Sequence, residues 1–238
     1  MVSQLLARPL ALIVGLACVV AGAEGPSRAE GPLSGEATEA LQRARRLVEV
    51  VERVQTHYRK LGAFRAPFEL RLVSATFGGE EPETGMLHVV PPANMLWDYE
   101  RPEGQKAVFD GEVWWLISPE DQTVTRHEVD PKQRSPLIDL LAGDRELLNV
   151  FSGRLVDAPG KADGARVLLE LVPREPRDEV ELVVVTVEPD TGVLRRIEVV
   201  GPLGGSQVLE LGRPVEEPPL PPGRFQITVP EGYTLLEE

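Results

Sequence analysis

Cysteine is almost missing from this 238-residue chain, and its one copy is Cys18. It lies inside the apolar run "LALIVGLACVV", so the rest of the chain has no thiol for a disulfide or a thiolate metal site. Long apolar runs are scarce as well. The stretch at 10–20 is about eleven residues, short of the roughly 20 needed to cross a bilayer, and nothing comparable follows it. Positive charge is in deficit: 25 Lys and Arg against 38 Asp and Glu leave a net charge of −13. A chain of that sign repels phosphate backbones and anionic lipid surfaces, which speaks against nucleic acid as a partner. The three histidines, His57, His88 and His127, are far apart and lack a second ligand type at metal spacing, so neither a metal nor another cofactor is expected. No Gly-x-Ser-x-Gly elbow and no phosphate-binding Gly-x4-Gly-Lys-Ser/Thr loop occurs. "GPLGGSQ" at 201–207 is a glycine-rich turn with no helix after it.

The stretch before the first predicted helix reads as an export signal. Arg8 comes before the apolar run, and "AGA" at 21–23 follows it with small residues two apart. That layout predicts a secretory signal peptide over 1–23, cut after Ala23, and a single domain over 24–238. The rival reading takes "GLAC" as a lipidation box with Cys18 as the modified N-terminus. Gly15 is a poor first residue for such a box, and the apolar run before Cys18 is short.

Periodicity supplies the elements. In "EATEALQRARRLVEVVERVQTHYRKLG" apolar residues recur at steps of three and four from Ala37 to Leu61, with Ser34 placed to cap the helix and Gly62 to end it. The charged opposite face implies that this helix lies on something. Phe64, Ala66, Phe68, Leu70 and Leu72 then alternate with polar residues, a half-buried strand interrupted at Pro67. Further strands are predicted at 86–90, 95–100, 105–110, 112–118 and 123–129, with Asp110-Gly111 as a hairpin turn. "SPLIDLLAGDRELLNVF" breaks the pattern: Ser135 caps, Pro136 opens a short helix, Gly143 ends it, and Asp144 caps a second. Strands resume at 154–156, 166–172, 180–188, 193–200 and 207–211. A Pro-dense connector at 213–223 leads to a last one at 225–229. The sum is an α+β, mainly β, domain of about a dozen antiparallel strands: an incomplete, unclosed barrel covered by a long N-terminal helix and a short helical lid.

All three tryptophans sit between Met95 and Ser118 in a chain with few aromatics. Trp97 and Tyr99 share one strand face. Trp115 shares its face with Val113 and Ile117, while Trp114 and Leu116 occupy the other, so this strand is covered on both sides. Ordinary core, a ligand groove and an aromatic platform for a sugar all fit that pattern. A sugar-cleaving role would draw on Asp98, which lies on the face opposite Trp97 and Tyr99. No catalytic constellation assembles from the remaining carboxylates, so an enzyme is not expected.

The order of motifs resembles the LolA family, the periplasmic carriers of outer-membrane lipoproteins, along nearly the whole exported chain. "FRAPFEL" is similar to the family's Phe-x-Ala-x-Phe-x-Gln, "WDYERP" to its Trp-x-Tyr-x-x-Pro, and "FDGEVWWLISPEDQTV" to its Asp-Gly-x-x-x-Trp-x-Tyr-x-Pro block. "SPLIDLLAG" resembles its lid insertion and "FQITVPEGY" its final strand. The resemblance implies a periplasmic, monomeric, non-enzymatic chaperone that shields lipoprotein acyl chains between an inner-membrane exporter and an outer-membrane acceptor. It further implies an acyl cavity lined by Phe68, Leu70, Leu72, Leu87, Val89, Met95, Trp97, Tyr99, Trp115 and Ile117. The lid would be Leu137, Ile138, Leu140, Leu141, Leu147 and Leu148. The family's lid-latching Arg is replaced by Pro91, which offers no donor, so the lid is expected to be held by apolar contact alone. A lipid- or lipoprotein-sensing regulatory module of the same half-barrel shape, and a glycan-binding protein using Trp97 and Tyr99, are the alternatives.

Overall fold

The computed structural model describes residues 35–74, 78–79, 81–142, 145–156 and 166–237. The expected signal peptide over 1–23, Cys18, the cap Ser34, and the helix end and cap at Gly143 and Asp144 lie outside them. The chain opens with α1 (Gly35–Leu61), then β1 (Phe64–Ser74), β2 (Gly78–Gly79), β3 (Glu83–Val90), β4 (Asn94–Arg101), β5 (Lys106–Phe109), β6 (Val113–Ser118) and β7 (Thr123–Glu128). Two short helices, α2 (Pro136–Ala142) and α3 (Leu147–Val150), interrupt the strands. There follow β8 (Phe151–Val156), β9 (Val167–Pro173), β10 (Leu182–Val187), β11 (Leu194–Val200), β12 (Ser206–Leu211), β13 (Val215–Glu216), a 3₁₀ turn (Pro222–Phe225) and β14 (Thr234–Glu237).

All strands join one sheet in the order β14-β7-β6-β5-β4-β3-β1-β12-β11-β10-β9-β8, with β2 and β13 added to β1. Among the described residues the terminal strands β14 and β8 do not pair with each other, so the sheet is an open barrel wall, as expected. The expectation of purely antiparallel pairing fails at one edge, where β14 runs parallel to β7. The strand expected at 225–229 is also absent. Pro221, Pro222 and Pro230 bracket that segment and cannot donate ladder bonds. Phe225 instead packs with Leu96 and Val108 on the convex face.

Strand alternation sorts the residues by face. On β1, Phe64, Ala66 and Phe68 point inward, opposite Val89, Leu87 and Gly85 of β3. On the far half, Leu209, Ile197, Val185 and Leu169 continue the same inner row across β12, β11, β10 and β9. These residues, α1 and both short helices form a single buried cluster. Pro67 sits within a strand at the middle of the sheet, where a missing N–H would ordinarily break a ladder. Here β13 pairs with β1 only at Phe64 and Arg65, and β12 pairs from Phe68 onward. Pro67 falls in the gap between them, and its carbonyl accepts from Gly212 N–H at 2.8 Å.

The stripe predicted for α1 is present, but only its C-terminal half is covered. Val50, Val51, Val54, Gln55 and Tyr58 are buried, whereas Leu41 and Val48 are exposed. A helix of 27 residues is roughly 40 Å long, and its first turns extend past the barrel wall they were expected to lie on. Close docking of the covered half relies on Gly192 in the β10–β11 turn. A Cβ there would meet the Arg53 carbonyl oxygen at 2.5 Å, and its φ is +77°. Tyr58 completes the seam, its hydroxyl accepting from Leu194 N–H at 3.2 Å.

Candidate functional site

The inner face of the half-barrel carries the larger of the two buried apolar clusters among the described residues, and α2 and α3 contribute side chains to it. Most residues expected to line a cavity are on this face. Phe68, Leu87, Val89, Met95 and Trp97 are buried in the central cluster, and Leu70 and Tyr99 pack against it. The aromatics interlock: Phe68 meets Trp97 edge-on at 4.8 Å and Tyr99 at 5.2 Å between ring centroids. Gly85 lies opposite both Phe68 and Tyr99, and a Cβ on it would strike the Asp98 carbonyl oxygen at 2.2 Å. Its lack of a side chain is what lets the β4 backbone come this close at the irregularity between Thr84 and Gly85.

Two expected cavity residues are on the wrong side. Trp115 pairs with Val108, and Ile117 with Lys106, a row that faces outward with Leu96 and Asp98. Trp115 packs with the convex cluster around Leu96, Val108 and Phe225, and Arg126 covers its ring at 5.7 Å. The register decides this: Phe109 pairs with Trp114, not with Val113 or Trp115. Trp114 is therefore the inward residue of β6, stacked on Phe109 at 5.0 Å. The aromatic platform for a sugar is not supported either. Trp97 is enclosed, and Asp98 faces outward toward Lys106 at 3.4 Å and Arg224 at 3.8 Å.

An opening onto the inner face lies at one mouth of the wall. It is a cleft of about 780 Å³ between the β7–α2 connector, the β9–β10 loop and the β11–β12 hairpin. Leu72, Trp114, Val129, Val180 and Val199 supply its apolar lining, and Glu128, Asp130, Asp178 and Glu179 its acidic rim. Of the predicted cavity residues only Leu72 lines this cleft; Phe68, Leu87, Val89, Met95 and Trp97 are buried in the central cluster, Leu70 and Tyr99 pack against it, and Trp115 and Ile117 face outward. The loops that complete the cleft carry no pattern of their own; alternation along β1 reaches it only through Leu72, and the expectation for β6 names Trp115 in place of Trp114. A second cavity of about 350 Å³ is lined by Arg126, Arg134, Arg145, Glu112 and Glu128, a charged lining unsuited to hydrocarbon.

The short helices are held differently from the expectation. Ile138, Leu140, Leu141 and Leu147 are buried, while Leu137 and Leu148 pack at the margin. Asp139 on α2 is also completely buried, so α2 is enclosed on its polar side too. Three arginines converge on its carboxylate: Arg134 at 3.5 Å, Arg145 at 3.9 Å and Arg177 at 3.4 Å. Arg177 comes from the β9–β10 loop, donates to the Arg134 carbonyl, and covers the Phe151 ring at 4.9 Å. Burial raises the Asp139 carboxyl above its ordinary range, against the pull of the three guanidiniums. Gln55 of α1 adds a bond from Nε2 to the Arg145 carbonyl at 2.7 Å. Apolar contact alone is thus not what fixes the lid: an ionic cluster links it to the far wall. Pro91 is exposed in the β3–β4 turn, and the lid's polar partners lie elsewhere.

The histidines do not converge. His57 is on α1, with burial lowering its pKa; His88 faces outward to Glu217 at 2.7 Å; His127 lines the cleft. Among the described residues no helix is long and apolar enough to cross a membrane.

Comparison with known proteins gives consistent matches. Residues 59–228 match the family model described as outer membrane lipoprotein carrier protein LolA. An outer-membrane lipoprotein carrier protein of Nitrosomonas europaea is 26% identical over 188 residues, covering 79% of this chain and 89% of that protein. A protein of the same description from Alkalilimnicola ehrlichii is 30% identical over 158 residues, 66% of this chain and 69% of the relative. Among solved structures, a LolA superfamily protein from Nitrosomonas europaea aligns with 75% of this chain and 96% of its own, at 13% identity and a TM-score of 0.41. A conserved protein from Thermus thermophilus aligns with 80% of this chain and 98% of its own, at 10% identity and a TM-score of 0.47.

Proposed function

The chain belongs to the LolA family of outer membrane lipoprotein carrier proteins, and on that premise we propose that it is a periplasmic carrier of lipoprotein acyl chains. The observation that carries the proposal is an apolar concave wall sealed by two short helices and reached through a cleft with an apolar lining. An acyl chain of about fourteen methylenes gains some 11 kcal/mol on leaving water, at about 0.8 kcal/mol per methylene. An aqueous crossing therefore needs a shield of this kind, and no bond has to be made or broken. The acyl chain enters at Leu72, Trp114, Val180 and Val199, then lifts α2 from β3 to reach the inner face that carries Leu87, Val89, Met95 and Trp97. The ends of the route are an inner-membrane exporter and an outer-membrane acceptor.

The test uses a synthetic peptide bearing an N-terminal diacylglyceryl cysteine, and the same peptide without its acyl chains. Native mass spectrometry should show a one-to-one complex with the acylated form only. Equal binding of the deacylated peptide would mean that this surface reads polypeptide, and the carrier reading would fall.

A further inference from the structure

The buried cluster beneath the lid is mostly hydrocarbon, with a few polar atoms on its aromatic rings. Trp97 is 4% exposed, and its indole Nε1–H is buried with no hydrogen-bond partner among the described residues. The hydroxyl-bearing rings of this cluster are engaged: Tyr58 accepts from Leu194 N–H, and Tyr99 bonds the Gln105 side chain. Most buried polar groups in folded proteins find a partner, and one left without costs stability. Indole offers a donor and no acceptor, so the group that would satisfy it must present a lone pair. The ring's position is fixed by Phe68 at 4.8 Å and by its neighbours in register, Leu87 and Ala107. α2 packs against β3, the strand that carries Leu87. On the carrier reading, a ligand that lifts α2 from β3 opens the inner face on which Trp97 lies beside Leu87.

We propose that Trp97 Nε1–H donates to a carbonyl oxygen of the carried acyl group, so that the site prefers acyl esters and amides over plain alkyl chains of equal length. The inference rests on the carrier reading and adds its chemical selectivity. In the closed state the unpaired donor is a standing cost, which a phenyl ring in the same place would avoid. A carbonyl brought in with the ligand removes that cost only when cargo is bound. The donor then favours the loaded state without strengthening the empty one.

The experiment compares 1-hexadecanoylglycerol with 1-O-hexadecylglycerol, which share chain and head and differ by one carbonyl, using calorimetric titration of the exported chain. The natural protein should bind the ester about threefold to tenfold tighter than the ether, the worth of one net hydrogen bond. Site-specific replacement of Trp97 by benzothienylalanine keeps the ring's shape and removes the N–H; Trp97→Phe is the second variant. In both, the ratio should fall to about one with ether affinity held in the benzothienyl protein. The Trp97 indole ¹⁵N–¹H resonance should move with ester and stay still with ether. Equal binding of both lipids by the natural chain with that resonance unmoved, or a preference that survives loss of the N–H, overturns the inference and leaves the carrier reading standing. Binding of neither lipid overturns both.

Discussion

Arg177→Met removes the one arginine that reaches Asp139 from the β9–β10 loop, and its effect can be worked from the geometry. Three contacts disappear: the 3.4 Å pair with Asp139, the bond to the Arg134 carbonyl and the cation–π contact at 4.9 Å from Phe151. Removing one partner of a buried pair generally costs about 3–5 kcal/mol, because the other charge is left uncompensated. Asp139 keeps Arg134 and Arg145, and Met preserves part of the aliphatic packing, so the lower bound of about 3 kcal/mol applies. If the cluster holds the lid, that energy comes off local opening. At about 1.4 kcal/mol per tenfold, exchange of the lid amides should quicken by roughly a hundredfold. Native-state hydrogen exchange should show this at Ile138, Leu140 and Leu141, while Leu169 and Val185 in the sheet change by less than about tenfold. Arg177→Lys should not restore protection, since an ammonium lacks the planar fork that serves two acceptors at once. Equal acceleration of lid and sheet amides would refute the reasoning. The cluster would then be part of the global core, with no separable cover.

Other expectations follow from particular side chains. Leu72→Glu puts a carboxylate at the cleft's apolar lining on a residue already 37% exposed. Acyl-probe affinity should fall about tenfold, from loss of about 1.5 kcal/mol of burial, with the melting temperature little changed; a large drop in both would make Leu72 a core residue. Trp114→Ala and Trp115→Ala should separate the two faces. The Trp115 change should cost about 2–3 kcal/mol of stability, below the 3–5 of a fully buried ring, and leave probe affinity intact in fluorescence titration. The Trp114 change should weaken binding. Glu188 carries a depressed pKa, chiefly from its hydrogen bond with Arg195 and then from Thr191. A depressed carboxyl supplies stability above its unfolded value and loses it as pH falls through the folded value. Denaturant titrations of Glu188→Gln should therefore show a shallower acid loss of stability than the natural chain below about pH 4.5. An unchanged slope would mean the pair contributes nothing in solution.

Alternation was legible wherever one face of a strand is polar. In β1 the steps from Phe64 to Leu72 identify the inner face without help, and the same holds for Leu87, Val89, Met95 and Trp97. β6 was ambiguous because "VWWLI" is apolar on both faces, and only the pairing of Phe109 with Trp114 decides which ring turns inward. The convex covering that gives Trp115 its outer partners comes from Leu220, Phe225 and Ile227, far along the chain. The ionic cluster was invisible for a similar reason. Arg134, Asp139 and Arg145 are neighbours in sequence, but Arg177 joins them only when the β9–β10 loop is folded over α2. An aspartate at the fourth position of a short helix carries no mark of burial until its surroundings exist. Strand pairing also took a form that patterning does not encode at the C-terminus, where Pro-bracketed residues cover the sheet and the following segment becomes its parallel edge.

The central claim is that cargo lies under the lid against the inner wall, and a spin-labelled acyl chain tests it most directly. Hexadecanoic acid carrying a nitroxide near its carboxyl end, the end that Trp97 would receive, would be added to residues 24–238 with methyl-labelled Leu, Val and Met. The account predicts strong paramagnetic broadening of Leu87, Val89 and Met95, faster amide exchange at Ile138 and Leu141, and weaker broadening at Val108 on the convex face. Broadening confined to Val180 and Val199 at the cleft mouth, with lid exchange unchanged, would contradict it: the helices would be fixed core and the inner wall no binding surface.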